Sequence, residues 1–91
     1  MKKVSVPQED IRESDLGLVA ALVCFKQNPV SIVPSLGDPC RLEFVFHRTS
    51  EVERLIKAFW DGKLVVEPQV FMLHTKLLKN RIFNMLPRSG A

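Results

Sequence analysis

Leu16 to Phe25 is a ten-residue run interrupted only by Gly17 and otherwise wholly apolar. Wound as a helix, it places Leu16, Val19, Ala20, Leu22, Val23 and Cys24 around most of the circumference. A helix apolar on nearly every side has to be surrounded, so it belongs at the centre of whatever the chain folds into. A membrane span needs about 20 such residues. A signal peptide carries a basic flank before its apolar core, whereas Glu9, Asp10, Glu13 and Asp15 precede this one with only Arg12 among them. The run therefore predicts a buried central helix, and the chain is expected to be cytoplasmic with no membrane contact. Ser14 or Asp15 is its candidate N-cap, and Asn28-Pro29 is expected to stop it near Lys26.

What can surround that helix is limited by the 91 residues present. Domains commonly hold roughly 100–150 residues, so a single domain is expected. Apolar residues make up 46% and charged residues 25%, a globular balance. Two cysteines, Cys24 and Cys40, are too few for a disulfide framework and predict free thiols.

The remaining elements follow from periodicity. Residues 1–13 read as a flexible polar arm, with Val4 and Val6 offering at most a short edge strand before Pro7. Val30 to Ser35 is a short strand broken by Pro34, and Leu36-Gly37-Asp38-Pro39 has turn chemistry. Arg41 to Arg48 is the clearest strand, with Leu42, Phe44 and Phe46 on one side and Arg41, Glu43, Val45 and His47 on the other. Together they predict a hairpin. Ser50-Glu51-Val52-Glu53 has the form of a capping box. The helix it opens carries Val52, Leu55, Ile56, Phe59 and Trp60 and ends at Asp61-Gly62. Lys63 to Glu67 reads as extended. Pro68 suits the first turn of a last helix reaching about Met85, with a stripe of Val70, Phe71, Leu77, Leu78, Ile82 and Met85 that includes His74. Residues 87–91 are a C-terminal tail. The fold class is α+β: one domain over 14–86, an antiparallel β-hairpin packed with three helices in the order αββα(β)α.

Four groups of residues in this order carry a family likeness. They are Ser14-Asp15-Leu16 with Ala20-Ala21-Leu22; Leu42-Glu43-Phe44-Val45-Phe46; Phe59-Trp60-Asp61-Gly62-Lys63-Leu64 with Val66 and Pro68; and Leu78-Lys79-Asn80-Arg81-Ile82-Phe83. Over residues 14–84 the chain resembles a family of small prokaryotic and phage proteins, the domain of unknown function 5659. It departs from that pattern at Cys24-Phe25, where the family's first helix tends to end in a small residue before an aromatic, and at Phe83, where the family often has Tyr. The resemblance implies a fold and a phage or mobile-element setting. It implies no activity.

Chemistry-bearing patterns are sparse. Cys24, Cys40, His47 and His74 would make a four-ligand set, but no two are within the two to four residues typical of paired zinc ligands. No metal or cofactor is expected. Cys24 should be buried and inert, and Cys40 could meet His47 only by bending back. Ser14, Ser31, Ser35 and Ser50 sit in no nucleophile-elbow pattern. Glu9, Asp10, Glu13, Asp15, Glu51 and Glu53 lie where helix starts favour negative charge. A chain this short should also have little room for a cleft of ~300 Å³. A non-enzyme with no small-molecule substrate is expected.

Charge suggests a partner. The formal net charge is +3, and it is unevenly spread. Residues 1–45 hold five basic and six acidic side chains, whereas 46–91 hold eight and four. The stretch 74–88 contains Lys76, Lys79, Arg81, Arg88 and His74 and no acid. Weak binding of nucleic acid by its phosphates, through Lys76, Lys79, Arg81 and Arg88 with Arg48, is the first expectation. The alternative is a protein-interaction or homodimerisation module without nucleic-acid contact. It would use Phe83, Trp60 and Val45, because two other helices and one hairpin leave apolar side chains uncovered.

Overall fold

The computed structural model describes residues 10–38 and 40–85. Its elements are β1 (Ile11–Glu13), α1 (Leu16–Cys24), β2 (Ser31–Pro34), β3 (Leu42–Phe46), α2 (Ser50–Trp60) and α3 (Pro68–Met85). The α+β class, the three helices and the β2–β3 hairpin are as expected. The first nine residues expected of an arm and those of the tail beyond Met85 lie outside the described residues, as does Arg88.

α1 is the central helix that its composition demands. Leu18, Val19, Ala20, Ala21 and Leu22 are all buried in succession, and α1 packs against α3, α2 and β1. Asp15 is its cap, with Oδ1 accepting from the Leu18 amide at 3.1 Å. Ser14 instead accepts from Arg41 Nη2 at 3.0 Å, tying the helix start to the foot of β3. The helix ends two residues before the expected Lys26. Lys26 takes a left-handed conformation, φ 65°, while the amides of Lys26 and Gln27 close back on the carbonyls of Val23 and Leu22 at 2.9 and 3.0 Å. This is a Schellman stop, and it satisfies carbonyls that would otherwise be stranded.

The sheet has three antiparallel strands in the order β1-β3-β2. The expected hairpin thus gains a strand from the segment read as the end of the arm. Three residues are too few to show alternation, but the pairing puts Ile11 beside Phe46, where its side chain joins the core. Lys63 to Glu67, the bracketed strand of the expected order, pairs with no strand; Leu64 packs on the core and Val65 points away from it. On β3, Phe44 and Phe46 face the helices with Ile11 and Ile32 as cross-strand neighbours. Val45 lies on the other sheet face between Arg12 and Ser31.

α2 is capped one residue earlier than its box predicts. Thr49 is the N-cap, and its Oγ1 accepts from the Val52 amide at 3.1 Å. That shift leaves Glu53 a residue too far along to reach back, and its carboxylate takes Arg48 Nη1 at 2.7 Å instead. Both Thr49 and Ser50 offer a hydroxyl, but the extended backbone at the cap suits a β-branched residue. The far end closes as expected. Gly62 has φ 73°, and Gly62 and Lys63 donate to Phe59 and Ala58 at 3.1 and 2.9 Å.

α3 begins at Pro68, as the sequence predicts. Glu67 caps it with both carboxylate oxygens, which accept from the amides of Gln69 and Val70 at 3.1 and 2.8 Å. At 18 residues against the nine of α1, it is about 27 Å long against ~14 Å. Among the described residues, no helix is long and apolar enough to cross a membrane.

Candidate functional site

α3 is the element whose side chains are least accounted for by packing. Only Leu78 is fully buried; Phe71, His74, Thr75 and Ile82 flank it on the same side. The predicted stripe merged two rows of the helix. Phe71, Leu78 and Ile82 face the core, whereas Val70 and Leu77 are 42 and 48% exposed; Met85 shares the row of Leu78 but stands at the helix end, 48% exposed. Leu73 and Met72, which the stripe omitted, are 52 and 68% exposed. The physical reason is that α3 packs mainly on one short helix, α1, and a single helix–helix contact covers only one line of side chains.

The exposed positions fall into two rows. Val70, Leu73, Leu77, Asn80 and Asn84 follow one another at alternating spacings of three and four, so they form one line along the outward side. Met72, Lys76, Lys79 and Phe83 form a second line on a flank. Lys76 and Lys79 share a shallow groove of about 290 Å³ with Phe71, Met72 and Thr75.

The expected cationic set does not assemble into one surface. Lys76 and Lys79 are adjacent and exposed. Arg81 is also exposed but lies roughly 140–160° around the helix from them, at 100° per residue. Arg48 lies far along the chain, at the foot of α2, and is engaged by Glu53. The other ion pairs among the described residues are Arg12–Glu43, His47–Asp10, Arg54–Glu51 and Lys57–Asp61. None of them involves Lys76, Lys79 or Arg81, and no acidic residue lies between Pro68 and Met85.

Of the three interface residues expected, two are at the surface. Phe83 is 67% exposed on α3; Trp60 is 61% exposed at the end of α2, its ring edge-on to Phe59 with centroids 5.0 Å apart. Val45 is a correction: only 6% of it is exposed, so it has no face to offer a partner. Strand alternation placed it opposite the phenylalanines, as observed, but its position on the central strand lets both neighbours cover it.

Two further grooves have volumes of about 370 and 270 Å³, and the larger exceeds the cleft size of ~300 Å³ for which a chain this short is expected to have little room. The larger lies between β1 and α2 and is lined by Glu13, Arg48, Glu53 and Lys57 with Ile11 and Ile56. The smaller lies between the α1 stop and the start of α2. Cys40 is exposed and Cys24 half-buried rather than fully buried; burial, and secondarily Glu67, pushes the Cys24 thiol up, away from reactivity. β3 separates Cys40 from His47. Among the described residues, no group of three or more His, Cys, Asp or Glu side chains could hold a metal ion.

Glu13, in the larger groove, has its carboxyl raised above the ordinary glutamate range, first by burial and then by the charge of Asp15. A raised acid binds its proton more tightly in the folded chain than in the unfolded one. Stability therefore falls as pH rises from the unfolded value, roughly 4.3, through the folded one. At neutral pH the carboxylate is a net cost. Glu13→Gln should raise Tm at pH 7, and the gain should vanish below about pH 4. Thermal melts from pH 3 to 7 check this; a lower Tm for the variant at pH 7 would contradict it.

Comparison with family models, with curated proteins and with solved structures gives no match.

Proposed function

We propose that this chain is a small, non-enzymatic interaction module whose working surface is the outer side of α3. The observation that carries the reading is the exposure of Val70, Met72, Leu73 and Leu77, which are neighbours on one helix. Exposed apolar side chains scattered singly are ordinary, but a contiguous set rimmed by polar residues marks a contact surface. Lys76, Lys79, Arg81, Asn80 and Asn84 supply that rim. The phage or mobile-element setting rests on the family resemblance alone, and a cytoplasmic location on the acidic flank before α1.

The test is a photo-crosslinking residue installed at position 73, on the outer row, and separately at position 65, where Val65 is 84% exposed but isolated from α3's rows. Discrete protein adducts should form from position 73 in the native cell and not from 65. Equal labelling at both, or none at 73, counts against the reading.

A second reading keeps the nucleic-acid expectation. Lys76 and Lys79 stand side by side on a helix that carries no acid, which suits phosphates. Two adjacent lysines support weak contact, with Arg81 turned away and Arg48 paired. The readings separate with salt. Binding to labelled DNA or RNA at about 50 mM should fade by 200 mM if phosphates are the target, whereas an apolar contact should persist.

A further inference from the structure

The outer row of α3 has the spacing of a coiled-coil seam. Val70, Leu73, Leu77, Asn80 and Asn84 occupy successive a and d positions of two heptads. The three apolar members are each about half exposed, at 42, 52 and 48%. In that register the positions beside the seam are Gln69, Lys76 and Phe83 on one side and His74 and Arg81 on the other. These flanking positions set which helix can pair, because their charges face those of the partner across the seam.

We propose that the seam takes an acidic amphipathic helix: apolar residues at its own a and d positions and Asp or Glu facing Lys76 and Arg81. This rests on α3 being the working surface. Charge decides against a second copy of this chain. In a parallel pair, Lys76 of one copy faces Arg81 of the other; in the antiparallel pair that sets Leu73 against Leu77, Lys76 faces Lys76. Both of these arrangements, the ones that bury the apolar members of the seam, set like charges together, which disfavours pairing. Nothing on α3 offsets this, since the helix has no acid. A partner with carboxylates at those positions turns each repulsion into attraction. Asn80 and Asn84 continue the seam with polar side chains, the device that selects register at a cost in affinity.

The probes are two labelled 21-residue synthetic helices with Leu at a and d, one with Glu and one with Lys at every e and g position. Titrated against the full chain at low salt, the Glu probe should bind about tenfold more tightly than the Lys probe, the effect of reversing a few exposed charge pairs. The ratio should shrink at high salt. Leu73→Ser with Leu77→Ser should remove binding of both probes while leaving the thermal melt unchanged, because neither leucine is in the core. Lys76→Glu with Arg81→Glu should invert the preference.

Equal binding of the two probes, or a Glu preference that survives the double charge reversal, would overturn the proposal. So would binding of neither probe. A chain that sediments as a dimer, and becomes monomeric in the Leu73→Ser, Leu77→Ser variant, would show a second copy on the seam. That outcome also overturns the acidic-partner proposal but leaves α3 as an interaction surface. Adducts from position 73 without probe binding have the same meaning, whereas no adducts from position 73 would remove the surface itself.

Discussion

Leu78→Asp should unfold the domain, and Leu77→Asp, one residue earlier, should leave it folded. Leu78 is 4% exposed and belongs to one continuous core with Leu18, Leu22, Phe44 and Phe46. A carboxylate placed there would have to shed its water with no buried partner, a cost of several kcal/mol, and would forfeit the leucine's packing, worth about 2–5 kcal/mol. Small domains have roughly 5 kcal/mol at the lower end of the usual range, so the sum exceeds what is there. α3 cannot simply swing away, because α1 depends on it for cover and α2 and β1 also pack on α1. Leu77 is 48% exposed, and a surface substitution of that kind is usually worth less than about 0.5 kcal/mol. Far-ultraviolet circular dichroism with urea titration reads both. A folded Leu78→Asp protein with an ordinary transition would show that α3 is not part of the core.

Phe44→Ala should cost about 3–5 kcal/mol, the range for removing a buried phenylalanine ring. Phe44 is 1% exposed at the middle of the central strand, with Ile32 and Glu13 as its cross-strand partners. Val45→Ala is the matched control on the other sheet face. It removes two methyl groups, about 1.5 kcal/mol at ~0.8 per buried carbon, and opens no hole in the main core, to which Val45 does not belong. The midpoint of urea unfolding should therefore fall far more for Phe44→Ala than for its neighbour. Equal losses would mean that the sheet is packed on both faces, contrary to the arrangement of the helices.

Where the sequence was readable, one physical signal dominated its segment. The apolar run of α1, the alternation along β3, Asp61-Gly62 at the end of α2 and Pro68 at the start of α3 each left little choice. Where it misled, two signals were nearly equal. Thr49 and Ser50 both offered a capping hydroxyl. β1 is three residues long, too short for any period to show, and its strand character comes from pairing with β3. The site residues divide in the same way. Helix geometry alone makes Lys76 and Lys79 neighbours and puts Arg81 on another flank. That Arg48 is paired with Glu53, and that Val45 is covered, depended on which strands and helices came to lie beside them.

The amino-acid pattern by itself determined that a helix apolar on all sides would sit at the centre, that a hairpin would pair ahead of α2, and that the last helix would carry cations and no acid. Local forces suffice for this: periodicity, capping and turn chemistry act within a few residues of one another. Only the tertiary structure decided which side of α3 is buried. Val70, Phe71, Leu73, Leu77 and Leu78 are all good core residues by type, and the helix offers more apolar surface than one short neighbour can cover. Burial is set by the size and placement of α1, so Leu78 went inward and the line from Val70 through Leu77 was left facing out.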